Sequence, residues 1–345
     1  MAYITFQPSD YFNTVLYTGN GSTQSITGVG FQPDWIWQKA RNQTYDHRLF
    51  DAVRGTTKAL YSNTSGSEGT ESGVTAFDSD GFSLGSAAGS NGNTVTFASW
   101  NWRAGGGQGS SNTDGSINTT YTSVNTTSGF SISTYTGTGS AATVGHGLGA
   151  VPKMVLVKRT NTTGNWTMYH IGSGATKYLY LNQNAAEASA SGIWNDTTPT
   201  SSVFSVGTDG EVNASGSTYV AYCFAEKKGF SKFGKYTGNG NADGPFIYTG
   251  FKPAFVITRR VTNNTGDWQL HDSKRTPTNV SDTILFPNGN TADSQASGYA
   301  MDMLSNGFKI RTDNNGKNNS SSDYIFLAFA EEPLVSSNNI PATAR

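Results

Sequence analysis

Four histidines, a single cysteine and two short acidic groups are the residues of this chain best equipped for chemistry. His47, His170 and His271 fall in or beside segments that align with one another, as a site repeated along a chain would; His146 stands apart. No His-x-x-x-His or Cys-x-x-Cys pair occurs, so a zinc site lacks its ligand set. We read the histidines as half-buried polar positions spread by duplication. Asp78-Ser-Asp80-Gly81 opens like a calcium loop, in which alternate carboxylates face one ion. No acidic residue closes a twelve-residue loop there, so Asp78 and Asp80 are only a weak metal candidate and read as turn residues accepting backbone N–H bonds. Glu68 and Glu71 sit in a Ser/Gly loop and read as solvated, and no recurrent Glu supports a glycosidase carboxylate pair. The reading is a protein that is not an enzyme, with no cofactor and no catalytic residue.

Binding offers more. Asn63-Thr-Ser-Gly-Ser67, Asn161-Thr-Thr-Gly-Asn165-Trp166 and the stretch from Asn263 and Asn264 to Asp267-Trp268 are small polar turns. Two of them place a Trp directly behind the turn. An aromatic face beside Asn and Asp side chains can stack on a sugar ring and satisfy its hydroxyls. Asn63, Asn161, Asn165, Trp166, Asn264, Asp267 and Trp268 are therefore the candidate glycan contacts. Trp166 and Trp268 also read as core residues starting a strand, and that reading is preferred.

The elements that position these residues come in three copies. Tyr17-Thr-Gly-Asn-Gly-Ser22 recurs as Tyr135-Thr-Gly-Thr-Gly-Ser140 and Tyr236-Thr-Gly-Asn-Gly-Asn241. Pro33, Pro152 and Pro253 follow at nearly constant distance, each opening an apolar run such as Trp35-Ile-Trp37. Glycines free to take positive φ make the first block a turn, and proline starts the next strand cleanly. Runs this apolar read as strands covered on both faces. Asp46-His-Arg-Leu-Phe-Asp51 answers to Asn165-Trp-Thr-Met-Tyr-His170 and Asp267-Trp-Gln-Leu-His-Asp272. Each copy closes on an aromatic strand: Phe97 to Trp102, Tyr219 to Phe224, Tyr324 to Phe329. A tandem repeat of about 90 to 100 residues, the size of an independent sandwich domain, follows.

Composition agrees. There are 41 glycines in 345 residues, only 14% of residues are charged, and aromatics at 12% supply the core. Sustained i, i+3, i+4 stripes are missing, so helix should be scarce. The expected fold is all-β: three tandem antiparallel β-sandwich domains of jelly-roll or lectin-like type, with an N-terminal arm. Trp35, Trp37, Trp100 and Trp102 should fill the first core. The expected boundaries are arm 1–14, repeats 15–104, 129–228 and 229–333, a Gly/Ser/Thr/Asn linker at 105–128, and a tail at 334–345. With 23 basic against 24 acidic residues, nothing supports nucleic-acid binding by phosphate neutralisation. The Lys-rich stretch from Glu226 to Lys235 reads as a solvated joint. The start of the chain has no apolar h-region, and no segment reads as a membrane insertion. Cys223 alone excludes an intramolecular disulfide. Arm and linker cannot bury enough apolar surface by themselves, so a partner is expected to order them through Tyr3, Phe6, Tyr11 and Phe12.

The opening Ala2-Tyr-Ile-Thr-Phe-Gln-Pro-Ser-Asp-Tyr-Phe12, Phe31-Gln-Pro-Asp34, Leu49-Phe-Asp-Ala-Val-Arg-Gly55 and Phe77-Asp-Ser-Asp-Gly-Phe82 resemble a domain repeated in structural proteins of tailed bacteriophages, particularly of marine and freshwater hosts. The likeness is closest over 1–104, weaker in the second copy and weakest in the third. It implies a virion location, a non-enzymatic role and partners among capsid or tail proteins, with no catalytic residues to carry over. Three functions stay open: a fibre or adhesion component displaying loops for multivalent contact with a host-surface glycan, a decoration protein clamping capsid or tail subunits, and, remotely, a carbohydrate-active enzyme. Homo-oligomerisation is expected in the first two.

Overall fold

The computed structural model describes residues 6–262, 266–333 and 335. Strands make up 43% of the described residues and helix 7%, in several antiparallel sheets. Each repeat builds a main sheet in the same order: a first strand, the closing strand, a central strand and a fourth strand. In chain order, the first strands are Phe12–Thr18, Phe130–Thr136 and Ser231–Thr237. The central strands are Trp35–Ala40, Pro152–Arg159 and Phe251–Arg260, and the fourth strands are Arg48–Asp51, Trp166–His170 and Gln269–Asp272. The closing strands are Thr96–Trp102, Thr218–Ala225 and Asp323–Pro333. A smaller sheet lies outside each main sheet, edged by Gln24–Thr27, Ala142–Gly145 and Phe246–Tyr248.

The Tyr-Thr-Gly-x-Gly turn has one explanation in all three copies. Tyr17, Tyr135 and Tyr236 stack on Phe97, Tyr219 and Tyr324 of the closing strands, with ring centroids 5.1, 5.1 and 4.9 Å apart. Their hydroxyls donate to the carbonyls of Ser90, Val212 and Lys317. Only the second glycine, at 21, 139 and 240, has positive φ. The first, at 19, 137 and 238, is required for another reason: a Cβ there would collide with the carbonyl of Gly92, Ala214 or Asn319. What the turn closes on is a buried asparagine at the end of a single helical turn: Asn91, Asn213 or Asn318. Asn213 donates to the Gly207 and Ser140 carbonyls at 2.7 and 2.6 Å and accepts from the Thr138 amide at 2.8 Å. Asn318 makes the same three bonds to Thr312, Asn241 and Asn239. Asn213→Ala strands two carbonyls and an amide, and is expected to cost about 3 kcal/mol. Urea unfolding checks this, and a loss below about 1 kcal/mol would contradict the clamp.

Every residue of Trp35–Ala40 is buried, as its apolar character predicts, but its two faces serve different cores. Ile36 packs with Phe50 and Phe82 inside repeat 1. Trp35, Trp37, Trp100 and Trp102 do not fill that core. They face the opposite way, into a cluster shared by all three repeats with Phe224, Trp166, Phe255, Trp268 and Phe329. Strand alternation sets this division, since residues two apart share a face. Three main sheets thus turn their aromatic faces to one common centre.

The linker and arm are held by the chain itself. The buried Asp34 carboxylate accepts from the amides of Ala104, Gly106 and Gly107 at 2.6, 2.9 and 2.8 Å. Burial pushes its pKa up, and those three amides offset part of the rise. Tyr121–Asn125 is a strand paired to Phe130–Thr136, and Ile117 bridges Val144 in parallel. Phe6 and Tyr11 pack edge-on against Phe230, and Phe12 stacks on Phe329 in the common core. The anchors assigned to an assembly partner are thus engaged by the third repeat; Tyr3 lies outside the described residues. Glu226 pairs with Lys232 at 2.7 Å across the joint between repeats 2 and 3.

Candidate functional site: the seams between repeats and the cleft at one of them

Three seams join the repeats head to tail, and each is built alike. The Glu68 amide donates to Thr160 O, Glu187 to Val261 O, and Asp293 to Arg41 O, at 2.8, 3.4 and 2.7 Å. The third bond returns to the first repeat, so the order is a closed ring. The indole N–H of Trp166 donates to Tyr61 O at 2.8 Å, and that of Trp268 to Tyr180 O at 3.0 Å. His47 holds the matching position in repeat 1, with the Phe286 carbonyl beside it. At the far end of the same strands, Asp51 accepts from the Tyr222 hydroxyl at 2.7 Å and Asp272 from the Trp100 indole at 3.2 Å. His170 meets the Phe326 carbonyl at 3.1 Å.

Several of the candidate glycan contacts lie at these seams. Trp166 and Trp268 are 0% exposed, so neither offers a ring face to a sugar. They are core residues that start a strand. Asn63 accepts from the His47 amide and donates to Asp46; Asn182 does the same for Trp166 and Asn165, and Asn288 for Trp268 and Asp267. Asn165 is further tied to Glu211 at 2.8 Å. Asn161 accepts from the Thr218 amide at 3.3 Å. Asn63, Asn165 and Asp267 are therefore clasps that fix strand starts; Asn263 and Asn264 lie outside the described residues.

Nor do the remaining candidates converge. Asp80 accepts from the Gly28 and Gly30 amides, and Asp78 from the Ser83 hydroxyl, which are turn roles. Among the described residues no three metal-binding side chains group together. Glu68 and Glu71 are not solvated: Glu68 pairs with Arg54 at 3.0 Å and Glu71 with Arg48 at 2.7 Å. Burial pushes the Cys223 thiol up, which disfavours a thiolate. Burial also lowers Lys39 and Lys158 to about 8, and Arg259, in the same register, to about 10. Each of these cations donates to backbone carbonyls at a seam.

A cleft of about 350 Å³ opens where repeats 1 and 2 meet. Lys58, Gln108, Thr120, Tyr121, Thr134 and Thr160 are among its walls. Glu68 at its side bridges Arg54 and Lys58. Thr134 Oγ1 is buried there with no hydrogen-bond partner among the described residues. Hydroxyls, an amide and tyrosine rings in a cleft with paired charges can hold a neutral polyhydroxyl ligand; they supply no activated nucleophile. The cleft was missed in the sequence because its residues come from two repeats and the linker. One local signal was present: Asp51-x-x-Arg54 recurs as Asp272-x-x-Arg275, and each pair forms an ion pair at a seam.

Among the described residues no helix is long and apolar enough to cross a membrane. Comparison with curated proteins and with solved structures finds no match. One family does match, described as a domain of unknown function, DUF7483, and it covers residues 7–333, all three repeats with the arm and linker between its ends. The chain belongs to the DUF7483 family.

Proposed function

We propose that the chain is a structural protein of a bacteriophage virion, a fibre or adhesion component that makes weak, multivalent contacts with host-surface glycan. In this reading each repeat is a jelly-roll or lectin-like sandwich, and the three are fused through their aromatic faces into one stiff body. The observation that carries the proposal is the hydroxyl-lined cleft between repeats 1 and 2. It takes over the contact role from Trp166 and Trp268, which are buried at the seams. The family resemblance in the sequence supplies the virion setting. Many copies on one particle would turn a weak contact into firm attachment, with avidity gains of about 10²–10⁴. The decoration role loses support, because the arm from Phe6 onward and the linker pack on the chain itself.

Host-cell adsorption by particles with and without the protein tests the role, with particle integrity measured in parallel. Lys58→Ala with Thr120→Val, both at the cleft and away from the core, is expected to lower adsorption at least tenfold and leave particles intact. Unchanged adsorption together with weakened capsids or tails would favour the decoration role instead.

A further inference from the structure

The threefold likeness of the repeats breaks at one exposed place. On the outer sheets, Ile26 pairs with Phe82, Val144 with Phe204 and Ile247 with Phe308, which aligns the three edge strands residue by residue. The neighbours of Ile26 are Ser25 and Thr27, and those of Val144 are Thr143 and Gly145. In repeat 3 the same two positions are Phe246 and Tyr248, 45% and 55% exposed. Both lie on one face, since they are two apart on a strand. The Phe246 ring lies over Gly307, where a Cβ would come within 3.0 Å of it.

The backbone of this strand is open as well. Pro245 O accepts from Ile310 N, and Thr249 N donates to Asn306 O, so positions 245, 247 and 249 face the sheet. By alternation the N–H and C=O of Phe246 and Tyr248 face outward, and no backbone partner meets them among the described residues. Repeat 2 shows what this edge accepts. There Thr143, the counterpart of Phe246, gives its carbonyl to the Ile117 amide and its amide to the Ser116 hydroxyl, both at 2.9 Å. A segment of the chain's own linker covers that edge, through an isolated parallel bridge from Ile117 to Val144. Repeat 3 follows repeat 2 through a short joint and has no linker to spare.

We propose that a second copy of the chain covers this edge, the two Phe246–Tyr248 strands pairing antiparallel about a twofold axis through Ile247. This inference does not depend on the virion reading. Phe246 then opposes Tyr248 of the second copy and the reverse, so each outward N–H and C=O finds a partner. Four aromatic rings line up on one face. The edge carries no charge within the strand, so a copy of itself meets no repulsion, and a twofold contact closes after two chains. Open apolar edges are otherwise templates for uncontrolled pairing.

The test is sedimentation equilibrium of the full chain over a hundredfold concentration range. A monomer–dimer equilibrium is expected. Phe246→Ser with Tyr248→Thr installs the residues of repeat 1 and is expected to give a monomer with an unchanged melting temperature. The reverse graft, Ser25→Phe with Thr27→Tyr, adds a second edge and is expected to give species beyond the dimer. Hydrogen exchange at the Phe246 and Tyr248 amides should slow as wild-type concentration rises, which reads the interface without any variant. A wild-type monomer throughout, a dimer that survives the double substitution, or exchange independent of concentration overturns the proposal. Binding of a saccharide or a foreign peptide at the Phe246–Tyr248 edge by a protein that stays monomeric overturns it too.

Discussion

Acidification from pH 6.5 toward pH 4 is expected to unfold the protein, with uptake of protons by its histidines. All four accept a hydrogen bond on a ring nitrogen: His47 from the Trp37 indole, His146 from the Leu148 amide, His170 from the Gly172 amide, and His271 from Lys317. A proton on the accepting nitrogen replaces attraction with a clash between two N–H groups. Burial pushes all four below the ordinary histidine range, His170 to about 4. The unfolded chain therefore binds protons first as pH falls. Stability is complete above about pH 6.5 and is lost as pH drops toward the folded values. His170 alone accounts for about 3 kcal/mol by pH 4, a large share of the ~5–15 kcal/mol that holds a typical protein together. Circular dichroism against pH measures the midpoint, and His170→Gln should shift it to lower pH. An unmoved midpoint would show that the histidines do not govern acid stability.

The second large effect concerns division of the chain. A fragment ending at residue 104 contains one complete repeat, yet it is expected not to fold as a monomer. Trp35, Trp37, Trp100, Trp102 and Phe12 would lose the partners that bury them. Exposing five such side chains forfeits about 2–3 kcal/mol each, which exceeds what a domain of that size holds in reserve. The intact chain, for the same reason, should melt in one transition. Dispersed amide proton shifts from the monomeric fragment, or three separate calorimetric transitions from the whole chain, would refute a shared core.

The contrast between Ile36 and its neighbours shows how far the sequence reaches. The run Trp35-Ile-Trp37 announced a strand buried on both faces, and the structure has one. Nothing local distinguishes a face turned to its own outer sheet from one turned to two other repeats, because both demand apolar residues. The turn glycines were legible for the same reason that Asn91, Asn213 and Asn318 were not. Glycine signals its role by its own backbone, whereas the asparagines act on carbonyls that lie far along the chain. Asn63 and Asn165 illustrate the converse. Asparagine beside glycine reads as a display loop, and here both amides are spent on fixing strand starts. Glu68 looked solvated because its partner Arg54 is drawn in by the fold and not by adjacency.

The ring has three seams but only two covalent crossings, the linker from repeat 1 to repeat 2 and the joint from 2 to 3. Between repeats 3 and 1, Asp293 holds Arg41 and Arg275, Asp272 holds the Trp100 indole, and Phe6 and Tyr11 lie across Phe230. That seam is a buckle with the arm as its strap. Separation of repeats 3 and 1 therefore breaks side-chain contacts and hydrogen bonds but crosses no covalent link, and the arm across Phe230 is part of what must give. Released, the strap can refasten onto surfaces that were never unfolded. A body of this kind yields at one defined place and absorbs a jolt there.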